Sequence, residues 1–174
     1  MLQSFESERL ILRERTLEDI EKCIEMDHDL EVVKYIPEIV ELINGPHASY
    51  KKHREFVRKR IETVYPNGLG YWTIELKDHI REFIGWVMLI PIDNIGPETE
   101  IGWRLKRNHW GKGYATEAAR IILQYAFDTI ELDKIVADIH YLNRGSIRVA
   151  EKIGLKFEGL NDDNTNHYVR YSIY

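Results

Sequence analysis

Apolar positions in the first third of the chain change from a short extended pattern to a helical one. Residues 9–16, RLILRERT, predict a first strand from their leucine and β-branched content. Thr16 stands before Glu18 and Asp19, and a capping hydroxyl followed by acids is typical of a helix start. We expect this helix to run to about His28. The following elements are predicted to be a short helical turn at 31–36 that stops at Pro37, a loop at 44–47 and a charged helix at about 48–64.

From Gly70 the apolar positions recur with a period of two, which is typical of strands. YWTIEL (71–76) and EFIGWVMLI (82–90) predict an antiparallel hairpin, and TEIGWRLKR (99–107) predicts the next strand. Residues 113–128 place apolar side chains at helical spacing with polar ones opposite, so this helix should pack one face on a sheet. The remaining segments predict a strand at 134–141, a helix at 143–154 and strands at 155–159 and 167–174.

This order of elements predicts one α/β domain over residues 1–174, because two strand–helix units lie between early and late strands. A chain of 174 residues can bury a substantial apolar core. Its longest apolar run, residues 83–92, is too short to span a bilayer, so no membrane association is expected.

Charge and cysteine content narrow the function classes. The formal net charge of −5 argues against non-specific nucleic-acid binding, which requires a basic face. Cys23 is the only cysteine, so no internal disulfide can form and a cytoplasmic location is expected. The helical position of Cys23 favours packing over a nucleophilic role. The seven histidines lack metal-binding spacing, so no metal site is predicted.

The segment RNHWGKGYATEA, residues 107–118, places two glycines directly before a predicted helix. A helix start leaves N–H groups without partners and attracts anions, and Gly111 and Gly113 lack the Cβ atoms that would keep a phosphate away. Residues 101–116 contain no acid but four basic side chains, Arg104, Lys106, Arg107 and Lys112. The segment therefore predicts a phosphate cradle, with a glycine turn for close packing as the alternative. Neither GxxxxGK[ST] nor GxGxxG is present.

The stretch NHWGKGYATEA resembles motif A of the GNAT superfamily of acetyl-CoA-dependent N-acetyltransferases, whose signature is Q/R-x-x-G-x-G/A. Asn108, Gly111 and Gly113 fall on its fixed positions, and Asn108 departs from the usual Gln or Arg. NRGSIRVAEKIGLKFEG, ERLILRERTLED and YWTIELKD are similar to the RimJ/RimL-like branch of ribosomal-protein N-terminal acetyltransferases. The resemblance covers nearly the entire chain.

This resemblance implies a mixed, strongly twisted sheet of about six to seven strands, with helices on both faces and a fourth and fifth strand that splay apart. Acetyl-CoA would enter that gap as co-substrate. Its pantetheine arm would pair with residues 103–105 like an added strand, and its pyrophosphate would sit on the N–H groups of residues 109–115. The implied co-substrate contacts are Trp103, Leu105, Asn108, His109, Trp110, Gly111, Lys112, Gly113, Tyr114, Ala115 and Asn143. Asn143 is also read as a helix N-cap, and both roles can hold together.

A primary amine requires a base, because an alkyl ammonium with a pKa of about 10.4 must lose a proton before it attacks a thioester. Glu100 begins the strand beside the implied gap and is the candidate base, acting through water; a solvated strand-end charge is the alternative. Strict alternation puts Glu100 on the face opposite Trp103 and Leu105, and the bulge that the family carries in this strand would change that. The N–H of Leu105 is the expected oxyanion stabiliser.

The departing CoA thiolate must be protonated, and many relatives use a tyrosine in the helix after Asn143. Here the matching residue is Ala150. Ser146 falls where the RimJ/RimL-like branch places a serine near the thiol, so Ser146 is the candidate donor; ordinary packing in the first helical turn is the alternative.

The leading interpretation is an acetyltransferase that acts on a primary amine of a small molecule or of a peptide N-terminus. A non-catalytic acyl-CoA-binding module on the same fold is the alternative, and a nucleotide-binding protein is disfavoured because both phosphate motifs are absent. The resemblance places acceptor contacts at about 28–50 and 160–174, where Glu38, Glu41, Asp162 and Asp163 could contact a cation. A homodimer is one of the oligomeric states that the sequence allows.

Overall fold

The computed structural model describes residues 1–161 and 167–174. Within these residues lie eight strands: β1 (Phe5–Glu6), β2 (Leu10–Glu14), β3 (Gly70–Leu76), β4 (Phe83–Pro91), β5 (Thr99–Leu105), β6 (Ile135–His140), β7 (Lys156–Asn161) and β8 (Tyr168–Ile173). They form one mixed sheet in the order β1-β2-β3-β4-β5-β6-β8-β7. The strands β5 and β6 run parallel, and the other neighbouring strands run antiparallel.

Helices cover both faces of this sheet. The described residues form the α-helices α1 (Ile20–Asp27), α2 (Leu30–Val33), α3 (Pro37–Asn44), α4 (Tyr50–Glu62), α5 (Tyr114–Asp128) and α6 (Arg144–Lys152). On one face α1 and α4 bury Cys23 and Val57 against Trp86 of β4. On the other face α5 and α6 bury a larger core that includes Ile122 and Ala150. The expected α/β fold with helices on both faces is therefore confirmed, and none of the described helices is long and apolar enough to cross a membrane.

Two elements differ from the sequence prediction. The helical turn predicted at 31–36 corresponds to α2, which ends at Val33, but Pro37 then begins a further helix, α3, that was not predicted. Proline is well suited to that position, where its missing N–H would have no helical partner and its fixed φ already fits the helix. The strand β1 was not predicted; its two residues pair with Ile11 and Leu12 of β2 and add an eighth strand to the sheet.

The strands β5 and β6 part after a short contact. They pair only at Thr99–Ile135 and Glu100–Val136, whereas β6 pairs with β8 along its full length. The sheet therefore opens between the second half of β5 and the second half of β6. The resemblance implies this opening for the fourth and fifth strands, which are β5 and β6 here because β1 was not predicted. This opening leaves one edge of β5 unpaired in the interior of the molecule.

The register between β4 and β5 is continuous from Pro91–Thr99 to Gly85–Leu105, without the expected bulge. Side-chain alternation is therefore preserved along β5. Ile101 and Leu105 pack into the core beneath α5, together with half-buried Trp103. Glu100 consequently faces the side of the sheet that carries α1 and α4.

Candidate active site

Two hollows meet at the opening between β5 and β6. The first, which we call the cleft, has a volume of about 620 Å³ and lies between β5, α5 and α6, with Leu105, Gly113 and Arg148 among its walls. The second, which we call the chamber, has a volume of about 910 Å³ and lies on the other face, with Phe56 and Glu100 among its walls. The residues common to both hollows are Tyr35, Ile36, Trp103, Arg104, Asn143 and Ser146. A molecule bound in the cleft could thus be approached from the chamber.

The backbone of β5 presents hydrogen-bonding groups to this opening. The N–H of Lys106 donates to the carbonyl of Ile84 at 2.9 Å, and the N–H of Ile92 donates to the carbonyl of Glu98 at 2.9 Å. Even-numbered residues of β5 therefore direct their backbone groups to β4, and the odd-numbered ones direct theirs to the opposite edge. Trp103 and Leu105 are consequently positioned to pair with an extended ligand as an added strand would.

The glycine segment forms a tight turn at the start of α5. Gly111 and Gly113 have φ angles of 72° and 84°, which favour glycine strongly. A Cβ atom on Gly111 would meet only open space, so the neighbouring chain does not fill the region that this residue faces. The first helical hydrogen bond runs from the N–H of Glu117 to the carbonyl of Gly113 at 3.0 Å. Within the described residues, the N–H groups of residues 111–116 therefore have no backbone acceptor and can receive an anion.

Two backbone N–H groups of the predicted phosphate cradle already have acceptors within the chain. A 3-10 turn at Arg107–His109 uses the N–H of His109, which donates to the carbonyl of Lys106 at 3.0 Å, and the N–H of Trp110 donates to the carbonyl of Arg107 at 3.1 Å. His109 lines the cleft, and its imidazole Nε2 lies 3.1 Å from a carboxylate oxygen of Glu82. The N–H groups of His109 and Trp110 are thus removed from the predicted phosphate contacts.

Two other predicted co-substrate contacts, Asn108 and Lys112, are exposed and do not line the cleft. The turn is held from outside by a residue that sequence reasoning missed. Arg9 donates to the carbonyl of Lys112 at 2.9 Å, pairs with Glu117 at 2.7 Å and lies 4.6 Å from the ring centre of Tyr114. Arg9 therefore fixes the turn and the first turn of α5 to the neighbouring end of β2.

Three of the four basic residues that the sequence analysis assigned to the phosphate cradle are already paired with acids. Arg104 binds Asp27 at 2.7 Å, Lys106 binds Glu25 at 3.3 Å and Arg107 binds Asp29 at 2.8 Å. These acids belong to α1 and the residues just after it, so a sequence stretch without acids is neutralised from another element. The positive charge of the cleft comes instead from Arg144, Arg148 and Lys152 of α6, which all line it. Lys34 also lines the cleft but lies 3.6 Å from Glu31, another of its walls.

Aromatic side chains form much of the remaining cleft wall. Trp110 donates from its indole N–H to the carbonyl of Leu105 at 2.9 Å and remains 46% exposed. That carbonyl already accepts one hydrogen bond, whereas the N–H of Leu105 has no acceptor among the described residues and is directed to the opening. Trp103, Tyr114 and Ala115 also line the cleft, as predicted for co-substrate contacts.

The first turn of α6 carries the two predicted polar residues at the junction of cleft and chamber. Asn143 caps the helix, since its side-chain oxygen accepts from the N–H of Ser146 at 3.1 Å. The cap therefore uses the backbone of Ser146 and leaves the hydroxyl free to serve another group. Ala150, which stands where many relatives carry a tyrosine, is fully buried in the core.

Glu100 lies on the chamber side with an unusual acidity. Burial raises the pKa of its carboxyl group to about 7, and the negative charge of Asp138 adds to this effect. A backbone hydrogen bond from Asp138 and the positive charges of Arg170 and Arg60 act in the opposite direction. A carboxyl group with this pKa can accept and release a proton near neutral pH.

Tyr35, which follows α2, joins the two sides of the opening. Its hydroxyl donates to the carbonyl of Leu142 at 3.2 Å, and its own carbonyl accepts from the hydroxyl of Tyr168 at 3.4 Å. Its ring stacks on His140 at 4.8 Å. The N–H of Leu142 donates to Nδ1 of His140 at 3.2 Å, and burial lowers the pKa of that imidazole. The boundary between chamber and cleft is therefore built from aromatic rings and hydroxyl groups.

The chamber itself has mixed charge and many aromatic walls. Glu38, a predicted acceptor contact, lines it but already pairs with Arg60 at 3.5 Å. Glu41 is exposed and is not a wall of either hollow, and Asp162 and Asp163 lie outside the described residues. Among the residues that the structure describes, no group of three or more His, Cys, Asp or Glu side chains is arranged to hold a metal ion.

Comparisons with known proteins fit this geometry. A sequence model described as acetyltransferase (GNAT) domain matches residues 9–156. The uncharacterized N-acetyltransferase p20 of Bacillus licheniformis is 30% identical over 162 residues, which cover 93% of this chain and 87% of the relative. An acetyltransferase of the GNAT family from Bacillus anthracis superposes with a TM-score of 0.75 at 27% identity, over 98% of this chain and 96% of that one. A spermidine N-acetyltransferase from Vibrio cholerae, solved in complex with CoA and spermine, shares the fold with a TM-score of 0.71 at 24% identity, over 96% of each chain.

Proposed function

The chain belongs to the acetyltransferase (GNAT) family, and on that premise we propose that it transfers the acetyl group of acetyl-CoA to a primary amine. The observation that carries this proposal is the meeting of the cleft and the chamber at the opening between β5 and β6, where Ser146 lines both hollows. The motifs quoted above favour the RimJ/RimL-like branch. We propose that residues 1–174 form a single catalytic domain.

Acetyl-CoA is proposed to occupy the cleft. The N–H groups of residues 111–116 and the positive end of α5 suit its pyrophosphate, and the cations of α6 suit its phosphate groups generally. The open edge of β5 suits the extended pantetheine arm, which carries amide groups of its own. The neighbour from Vibrio cholerae was solved with CoA bound, which supports the same class of ligand here.

The acceptor amine is proposed to enter from the chamber and to pass its proton, through a water molecule, to Glu100. The free amine then forms a bond to the thioester carbon while the carbon–sulfur bond breaks. The N–H of Leu105 points to the opening and donates to the carbonyl oxygen as that oxygen gains negative charge. The hydroxyl of Ser146 donates a proton to the departing sulfur and regains one from the nitrogen, which loses its second proton as the amide forms. Glu100 suits its role because its pKa of about 7 leaves a useful fraction ionised at neutral pH.

Release of free CoA thiol tests this proposal. Purified protein is mixed with acetyl-CoA and a panel of amino acids, polyamines and peptides, and thiol is followed with a colorimetric reagent. We expect thiol release that depends on an added primary amine and that yields an acetylated amine by mass spectrometry. Thiol release that is equal with and without amine, or binding of acetyl-CoA with no transfer to any amine, would contradict the proposal and favour a non-catalytic binding module.

A further inference from the structure

A second carboxylate stands next to Glu100. Glu100 pairs in register with Val136 of β6, and Asp138 lies two residues further along the same face of that strand. The backbone N–H of Asp138 donates to the carboxylate of Glu100, so the two acids are direct neighbours. Two neighbouring carboxylates resist simultaneous ionisation, because each negative charge makes the other more costly.

One guanidinium group opposes this repulsion. Arg170 of β8 lies opposite Asp138 in the register of the two strands. Its Nε and Nη2 atoms donate to the two oxygens of Asp138 at 2.8 and 2.7 Å, a bidentate arrangement, and its Nη1 donates to Glu98 at 2.7 Å. Glu98 in turn binds Lys134 at 2.9 Å. Such forked pairs fix the planes of both partners as well as their charges.

The other charged groups near Glu100 are fewer. Arg60 of α4 faces Glu100 across the chamber and favours its ionised form. Tyr168 of β8 also senses Glu100, since the negative charges of Glu38, Glu100 and Asp138 add to burial in raising the pKa of the tyrosine. Arg60 itself pairs with Glu38, whereas Arg170 pairs with Asp138, the acid next to Glu100.

We propose that Arg170 is a positioning residue for the acetyl transfer: by neutralising and orienting Asp138, it allows Glu100 to lose its proton at physiological pH and so to serve as the base. This inference rests on the proposed function of Glu100. It assigns a task to a residue of the last strand that lines the chamber but not the cleft. Without Arg170, the negative charge of Asp138 acts more strongly on Glu100, and a larger fraction of the base remains protonated at neutral pH.

The pH dependence of kcat/KM tests the proposal with three variants. Arg170→Gln should move the acidic limb of the profile upward by about one pH unit, which lowers kcat/KM about fivefold at pH 7 and much less at pH 9. Arg170→Lys keeps a positive charge and should recover most of the loss. Arg170→Gln combined with Asp138→Asn removes both charges and should return the limb to near its original position. Lys134→Gln is the matched control, because it removes a cation from Glu98 without touching Asp138.

Direct titration of Glu100 separates failure of this inference from failure of the proposed function. Carbon-13 NMR of the labelled Glu100 carboxyl should show a midpoint near 7 in the wild type and an upward shift in Arg170→Gln but not in Lys134→Gln. An unmoved midpoint in folded Arg170→Gln, or equal changes in both variants, would overturn the role of Arg170. A moved NMR midpoint with an unmoved acidic limb of kcat/KM would leave that tuning in place but would show that Glu100 is not the base.

Discussion

Replacing Glu100 by glutamine gives a test that needs no substrate. The pKa of this carboxyl group is about 7 in the folded protein against an ordinary value of 4.5, so the folded state holds the proton more tightly than the unfolded state. The stability contributed by the protonated group is therefore complete below pH 4.5 and is lost as the pH rises through 7. Since one pKa unit corresponds to about 1.4 kcal/mol, the full loss is about 3 kcal/mol.

Glutamine stays neutral at every pH and escapes this loss. The free energy of unfolding of Glu100→Gln, relative to the wild type, should thus rise by about 2–3 kcal/mol between pH 5 and pH 8. Urea denaturation of both proteins at several pH values measures the difference. Glu117→Gln is a control of opposite sign: burial raises the pKa of Glu117, but hydrogen bonds from Ser7 and Arg9 outweigh it and leave the pKa lowered. The stability from ionised Glu117 is present above its unfolded pKa and is lost as the pH falls.

The reasoning would be refuted if the stability difference between Glu100→Gln and the wild type were the same at pH 5 and pH 8. That result would mean that the Glu100 carboxyl titrates alike in the folded and unfolded states. The chamber would then be too well hydrated at this point to hold a proton on a carboxylate near neutral pH.

Three further tests probe the cleft. Gly113→Ala should abolish the rise in melting temperature caused by acetyl-CoA, whereas Gly154→Ala should retain it. Gly154 is a matched control because both glycines have a positive φ and a single neighbour at 3.4 Å from an added Cβ. A similar loss of the rise in both variants would show that backbone strain alone is responsible. Ser146→Ala should lower kcat about ten- to a thousandfold with unchanged acetyl-CoA affinity, and an unchanged single-turnover rate would remove the hydroxyl from the mechanism. Arg144→Gln combined with Arg148→Gln should weaken acetyl-CoA binding about tenfold at low salt and less at high salt, and calorimetry showing equal affinity would move the phosphates elsewhere.

Most of the fold could be predicted because its elements are written in local patterns. The change of period at Gly70 and the amphipathic residues 113–128 gave the central hairpin and α5 at nearly their observed bounds. The helix that begins at Pro37 was not predicted because a proline can follow one helix or begin the next, and the contacts of α3 with α4 are remote in sequence. The two-residue strand β1 is too short to carry any period at all.

The candidate site was predictable where it depends on the backbone and not where it depends on distant charges. Glycines before a helix indicate free N–H groups, and the open edge of β5 follows from the splayed strands. Residues 101–116 contain no acid, yet Asp27 lies far away in the chain and neutralises Arg104. The pairing of Asp138 with Arg170 is equally remote in sequence, so neither the charge of the cleft nor the acidity of Glu100 could be read locally.

The most direct test of the account is the pH profile of single-turnover acetyl transfer for the wild type and Glu100→Gln, with Glu62→Gln as an exposed carboxylate control on α4. We predict a wild-type rate that falls below an apparent pKa near 7, and a deficit in Glu100→Gln that is largest from neutral to moderately alkaline pH. The deficit should shrink as the pH approaches the amine pKa of about 10.4, where the acceptor is already deprotonated. A deficit that is constant at every pH, or a Glu100→Gln profile that matches the wild type, would contradict the assignment of Glu100 as the base.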